Sequence, residues 1–221
     1  MAALKNGLLV SSGAVFDPDE AERGRKMLFA DVQARTAEAV RRETKAWNAV
    51  QSVSDWEAFR DQRIAALRDS LGKLSPVPAS FEAEVTGGIE GDGYRIRKLI
   101  YETRPGIIVT AHLYLPDPPR DPMPGIQLVH AHHRPKEQPE LQDMGVNWAR
   151  TGCAVLVPDL LGHGERREDP FGARQGYYSR YYTSMQLRLV GECLIGWMVW
   201  DLMRGIDVLL SLPGIDRERI I

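Results

Sequence analysis

Two short apolar runs, Gly125 to His130 (GIQLVH) and Cys153 to Pro158 (CAVLVP), constrain this chain most. Neither alternates polar with apolar, so each reads as a strand covered on both faces, as in a parallel sheet. The intervening segment from Glu140 to Thr151 is helix-like, with Leu141, Met144 and Trp148 on one side and Gly152 as its stop. A second long apolar helix is expected over Met185 to Leu212, broken by Pro213-Gly214, and Arg219 to Ile221 opens a third parallel strand. Strand–helix–strand–helix–strand order implies an α/β fold with helices on both faces of the sheet.

Upstream the pattern differs. Glu82 to Thr86, Arg95 to Thr103 and Ile107 to Leu115 are three strands of an antiparallel meander, separated by Gly91-Asp92-Gly93 and Arg104-Pro105-Gly106. Before them, Asp19 to about Gly72 has helical periodicity. Ser54-Asp55-Trp56-Glu57 fits a capping box, followed by Trp56, Phe59, Ile64, Leu67 and Leu71 on one face. The division expected is residues 1–18 as a disordered leader, 19–78 as a helical extension and 79–221 as an α/β unit.

Bulk properties exclude several classes of function. A net charge of −2, with bases and acids interleaved, gives no footprint for nucleic acid. Met1 to Val15 lacks the apolar core of a secretory signal, which points to a cytoplasmic protein. The most apolar stretch, Leu187 to Leu212, carries Arg188, Glu192, Asp201, Arg204 and Asp207, so no membrane span is expected. Cys153 and Cys193 both sit in apolar runs and read as buried free thiols.

Ligands in open α/β sheets bind beyond the carboxyl ends of the strands. Four of the five histidines lie in the two loops that leave those ends: His130, His132 and His133 after the first strand, His163 after the second. Three readings compete. The first loop can form an oxyanion hole, with backbone donors at Ala131 and His132. Alternatively His130, His132, His133 and His163, with Asp159, form a metal-assisted site. The third is a binding module without catalysis that needs a second chain. In Gly162-His163-Gly164-Glu165-Arg166 the glycines permit a tight turn, and Glu165 and Arg166 can pair to fix it. Tyr177, Tyr178, Tyr181 and Tyr182, with Arg174 and Arg180, either line a cleft or pack. Trp197 and Trp200 read as core.

From Asp55 to Ile221, about three quarters of the chain, the sequence resembles bacterial α/β-hydrolases of the acetylxylan-esterase-like group, related to dienelactone-hydrolase and prolyl-oligopeptidase-type catalytic domains. The resemblance rests on Gly93 to Leu99, Pro105-Gly106, Thr110 to Pro116, Leu128 to His133, Ala154 to Arg166 and Val199 to Ile220. It implies an α/β-hydrolase-type, mostly parallel sheet with an antiparallel lead-in and an N-terminal helical extension. It also implies a serine-type carboxylic ester hydrolase, needing no cofactor or metal, that acts on small-molecule or carbohydrate esters. Substrate contacts would come from His130, His133, His163, Glu165, Arg166 and Tyr178, and oxyanion donors from Ala131 and His132. Ala131 stands where the family has glycine, and His133-Arg134-Pro135-Lys136 replaces smaller residues, implying a narrower, more basic pocket.

The family's nucleophile lies on a G-x-S-x-G turn after the strand that Arg219 opens, with its acid and histidine later. No G-x-S-x-G occurs in the sequence, and no histidine follows His163. The expectation is therefore a fragment holding the oxyanion-loop half and lacking the triad. An all-round apolar helix and an unpaired strand edge point to a homo-oligomer or a complementing second chain.

Overall fold

The computed structural model describes residues 15, 17–77, 82–131, 135–168 and 175–221. Almost all of the expected leader lies outside the described residues. The chain divides into two compact units, Met1–Ala65 and Ala66–Ile221.

The first unit holds helix α1 (Pro18–Asn48) and most of α2 (Val53–Ser70). Asp17 caps α1: its carboxylate accepts from the Glu20 N–H at 2.8 Å, and the Glu20 carboxylate accepts from the Asp17 N–H at 3.3 Å. The capping box expected at Ser54 is corrected. Ser54 lies inside α2, and the cap is Ser52, whose hydroxyl accepts from the Asp55 N–H at 3.1 Å. Asp55 then reaches back to the Gln51 N–H at 3.1 Å. Asp55 takes the place read for Glu57, so the cap begins two residues earlier than the sequence pattern. Trp47 joins the helices, with ring centroids 6.0 Å from Trp56 and 5.4 Å from Phe59. Arg63 lies over Phe59 and pairs with Glu43 at 2.6 Å. The apolar face read for α2 is not a core face, because no residue of that helix is buried.

The second unit is a six-stranded sheet. Its strands are β1 (Ala83–Gly91), β2 (Tyr94–Arg104), β3 (Ile107–Pro116), β4 (Met123–Gln127), β5 (Ala154–Pro158) and β6 (Ile215–Ile220). They are ordered β1-β2-β3-β5-β4-β6. β1, β2 and β3 form the expected antiparallel meander, turning at Gly93 and Gly106, each with φ of 76°. β3 meets β5 antiparallel, and β5, β4 and β6 run parallel. The third parallel strand starts at Ile215, four residues before the position expected, and β4 ends at Gln127, so the loop after it begins before His130.

β5 shows why its sequence does not alternate. Ala154 and Leu156 enter a core completed by Val208 and Leu209 of helix α5 (Leu194–Ser211). Val155 and Val157 point the other way, to Leu141 and Ala149 of helix α3 (Pro139–Thr151). The buried stripe of α3 is Leu141, Gly145 and Ala149. Met144 and Trp148, expected beside Leu141, are 43% and 45% exposed. Gly145 makes the difference: a Cβ there would lie 2.7 Å from the Tyr114 ring, so the missing side chain admits the aromatic residue.

The long helix expected over Met185 to Leu212 is two helices, α4 (Gln175–Leu189) and α5. Gly191 breaks it with φ of 75°, and Glu192 bridges back to Gly72. Apolar residues continue through the break, so periodicity alone does not reveal it. Trp200 is buried as expected, its Nε1 donating to the Thr103 carbonyl at 2.9 Å. Cys153 and Cys193 are free, the first buried and the second half-buried. Among the described residues no helix is long and apolar enough to cross a membrane.

Gly145→Ala is expected to cost about 1–3 kcal/mol through overpacking against Tyr114. Urea unfolding of the variant and parent chains measures it.

Candidate active site

Thr110 of β3 and the loops after β4 and β5 converge on one buried carboxylate, Asp159, which immediately follows β5. Its Oδ2 accepts from the Thr110 hydroxyl at 2.8 Å, the Lys136 ammonium at 2.6 Å and the Glu165 N–H at 3.3 Å. Its Oδ1 accepts from the Lys136 N–H at 3.0 Å. The Lys136 ammonium also reaches Glu165 at 2.6 Å. The first loop is thus fastened to the second by one buried lysine.

Burial opposes ionisation of Asp159, but the Lys136 ammonium, the Lys136 N–H and the Thr110 hydroxyl outweigh it and hold the carboxyl below its ordinary value. Burial likewise opposes the Lys136 ammonium; Asp159 and Glu165 outweigh it and hold that group above the ordinary lysine value. The glycines of the second loop answer the same constraint. Gly164 has φ of 51°, and a Cβ there would lie 2.3 Å from the Asp159 carboxylate.

A second buried carboxylate, Asp201 of α5, lies behind the first. It accepts from the Thr103 hydroxyl at 2.6 Å, Arg104 at 3.0 Å and Arg166 at 2.9 Å. Arg166 also donates to the Asp159 carbonyl at 3.0 Å, so its guanidinium joins the end of β5 to α5. The pairing expected between Glu165 and Arg166 is therefore corrected: Glu165 turns to Lys136 and Arg166 to Asp201. Desolvation decides this. Arg166 is buried and needs a carboxylate buried with it, whereas the Glu165 side chain is 63% exposed.

The histidines form a latch. His130 Nε2 accepts from the Leu160 N–H at 3.0 Å, which places the ring proton on Nδ1, 2.8 Å from the Ala131 carbonyl. His163 packs edge-on against it, ring centroids 4.8 Å apart. Both are buried. His130 thus ties its own loop to the loop after β5 through Nε2, while Nδ1 holds the ring against its own backbone. Ala131, next along, is exposed, and its N–H meets no acceptor among the described residues. His132 and His133 lie outside the described residues. Tyr178 is 56% exposed on α4, and the side chain of Tyr177 lies outside the described residues. The remaining histidine, His112 of β3, is pushed down to about 4 by burial, with the Lys136 charge adding to the effect.

The metal reading finds little room here. Using His130 or Asp159 as a ligand would require breaking the hydrogen bonds that hold the loops. Among the described residues no group of three His, Cys, Asp or Glu is placed to hold an ion. Sequence reasoning missed Lys136 as a fastener and Asp201 as a counter-charge. The signal for Asp201 was present: an acid flanked by apolar residues in the most apolar helix, if buried, must be buried with a cation.

The sequence matches no family model and no curated protein. Its fold does match solved structures. A Bacteroides fragilis protein assigned as an acetyl xylan esterase aligns with a TM-score of 0.64 at 18% identity, over 77% of this chain and 47% of that one. A methylesterase aligns with a TM-score of 0.56 at 23% identity, over 78% of this chain and 36% of that one. The chain spans about half or less of the length of these structures. Such likeness establishes the fold, which is that of the α/β-hydrolases.

Asp201→Ala would strand Arg104 and Arg166 as buried, uncompensated cations and is expected to cost roughly 3–5 kcal/mol in denaturant unfolding. The pH dependence of stability should follow the signs above. The depressed Asp159 contributes stability above about pH 4 that is lost as pH falls through its folded value; the raised Lys136 contributes stability below about pH 10 that is lost as pH rises through its folded value. His112, depressed from about 6.5, makes stability decline as pH drops from there towards 4. Unfolding of His112→Gln across this range should show a flatter acid limb than the parent.

Proposed function

We propose that this chain is the oxyanion-loop half of a serine-type ester hydrolase, acting on small-molecule or carbohydrate esters without a metal or cofactor. The observation that carries the reading is exposed Ala131, whose N–H meets no acceptor among the described residues, in a loop fastened by His130 and Lys136 to the loop after β5. A backbone donor at the carboxyl edge of an α/β-hydrolase sheet suits an oxygen that gains negative charge during acyl transfer. His132 would supply a further donor. His133, Tyr178 and the Gly162–Arg166 loop would border the substrate, with Arg166 and His130 shaping that border from within rather than touching the ester. The esterase names of the structures that share the fold add support.

The nucleophile, acid and base of the triad are not in these 221 residues in any G-x-S-x-G setting. The proposal therefore assigns them to sequence joined or bound to this chain, next to β6. An apolar α5 and a β6 that pairs only with β4 among the described residues favour a complementing segment or a homo-oligomer. A reducing, cytoplasmic setting suits the two free cysteines.

The test is hydrolysis of p-nitrophenyl acetate. The chain alone should give negligible turnover, and a polypeptide joining it to a G-x-S-x-G strand–turn–helix should turn over and be blocked by a serine-directed phosphonate. In that active form Ala131→Pro should lower kcat by about 10²–10³-fold with little change in KM. Phosphonate-sensitive turnover by the chain alone would defeat the split-triad reading, and chelator-sensitive turnover would restore the metal one.

A further inference from the structure

Between α4 and the start of α5, beside the Gly162–Arg166 turn, lies a cavity of about 140 Å³ that the ester-hydrolase reading leaves unused. A cavity of ~150 Å³ holds a benzene-sized guest. The lining is graded. Ser179, Thr183 and Leu187 recur every fourth residue along α4, so hydroxyls give way to apolar surface, and Leu161, Leu194 and Trp197 complete the apolar end.

Arg180 stands at the polar end. It is half-buried, and its only hydrogen bond among the described residues is from Nη1 to the Gly162 carbonyl at 3.1 Å. No described carboxylate pairs with it. Burial and the like charge of Arg167 both work against its cationic form. The turn is nonetheless shaped around it: Gly162 has φ of 75°, and a Cβ there would sit 2.8 Å from the Arg180 side chain. The other guanidinium in the wall, Arg166, is already engaged by Asp201 and the Asp159 carbonyl. Glu168 also lines the cavity, but it is exposed and forms no ion pair with Arg180.

We propose that this cavity binds a small organic monocarboxylate of about single-ring size. Its carboxylate is taken by Arg180 with the Ser179 and Thr183 hydroxyls, and its apolar body lies against Leu161, Leu187 and Trp197. A guanidinium with N–H groups that have no acceptor and no counter-charge among the described residues prefers an anion, and a planar carboxylate matches its fork. The apolar end rejects ligands that are polar throughout. This assignment does not depend on the esterase reading, since it concerns binding by the chain as it stands.

The experiment is calorimetric titration of the 221-residue chain with benzoate, and with benzamide as the neutral counterpart of the same shape. One saturable benzoate site is expected, with benzamide weaker by roughly tenfold or more, the difference a charged hydrogen-bonded pair makes. Arg180→Met should remove that preference while leaving the unfolding midpoint near the parent's. Glu168→Gln should tighten benzoate, and Leu187→Trp, which fills the apolar end, should abolish binding of both compounds. No saturable benzoate binding, equal binding of benzoate and benzamide, or a preference that survives Arg180→Met would each overturn the proposal. None of these results bears on ester turnover, so the two readings stand or fall separately.

Discussion

The guanidinium of Arg166 holds the candidate site together. It lies between the carbonyl of Asp159 and the carboxylate of Asp201, buried with both. In a low-dielectric interior a cation of this kind persists only where acceptors meet it on each side. Its position therefore dictates where α5 lies relative to the end of β5. That in turn leaves the Asp159 carboxylate free to gather Thr110, Lys136 and Glu165. One arginine that joins the Asp159 carbonyl to the Asp201 carboxylate ties the end of β5, the turn after it and α5 into one surface.

The division of labour follows from burial. Of the two charges expected to face a substrate, Arg166 is turned inward and builds the wall, while Glu165 stays exposed. What is exposed at the sheet edge includes Ala131, whose N–H meets no acceptor among the described residues, and the Glu165 side chain. A rigid donor that needs no reorganisation is the form in which a protein stabilises developing charge best.

The fold was largely legible in the sequence because its strongest signals are local. The apolar runs GIQLVH and CAVLVP marked the places of β4 and β5, although β4 ends at Gln127, and glycine-bearing turns marked the meander. What escaped depended on partners distant in sequence. The break at Gly191 falls within a largely apolar stretch, and the positive φ there and the bridge from Glu192 to Gly72 mark it. The buried face of α3 is displaced to Gly145 because Tyr114, on another element, occupies the space. Within the site, the loop positions were readable and the pairings were not. Glu165 and Arg166 are adjacent in sequence yet choose partners 29 and 35 residues away, since burial rather than proximity selects them.

The strand order carries a consequence for how the molecule comes together. β1, β2 and β3 are neighbours in sequence and in space, so the meander closes short loops and can assemble early. β4 is different. Both strands that flank it, β5 and β6, are made after it, the second some ninety residues later by number. The centre of the parallel half must therefore wait, its backbone donors and acceptors unmatched, while two long loops close around it. During synthesis, Met123–Gln127 is the stretch whose exposure lasts longest relative to its need for cover, and it immediately precedes the loop that carries Ala131.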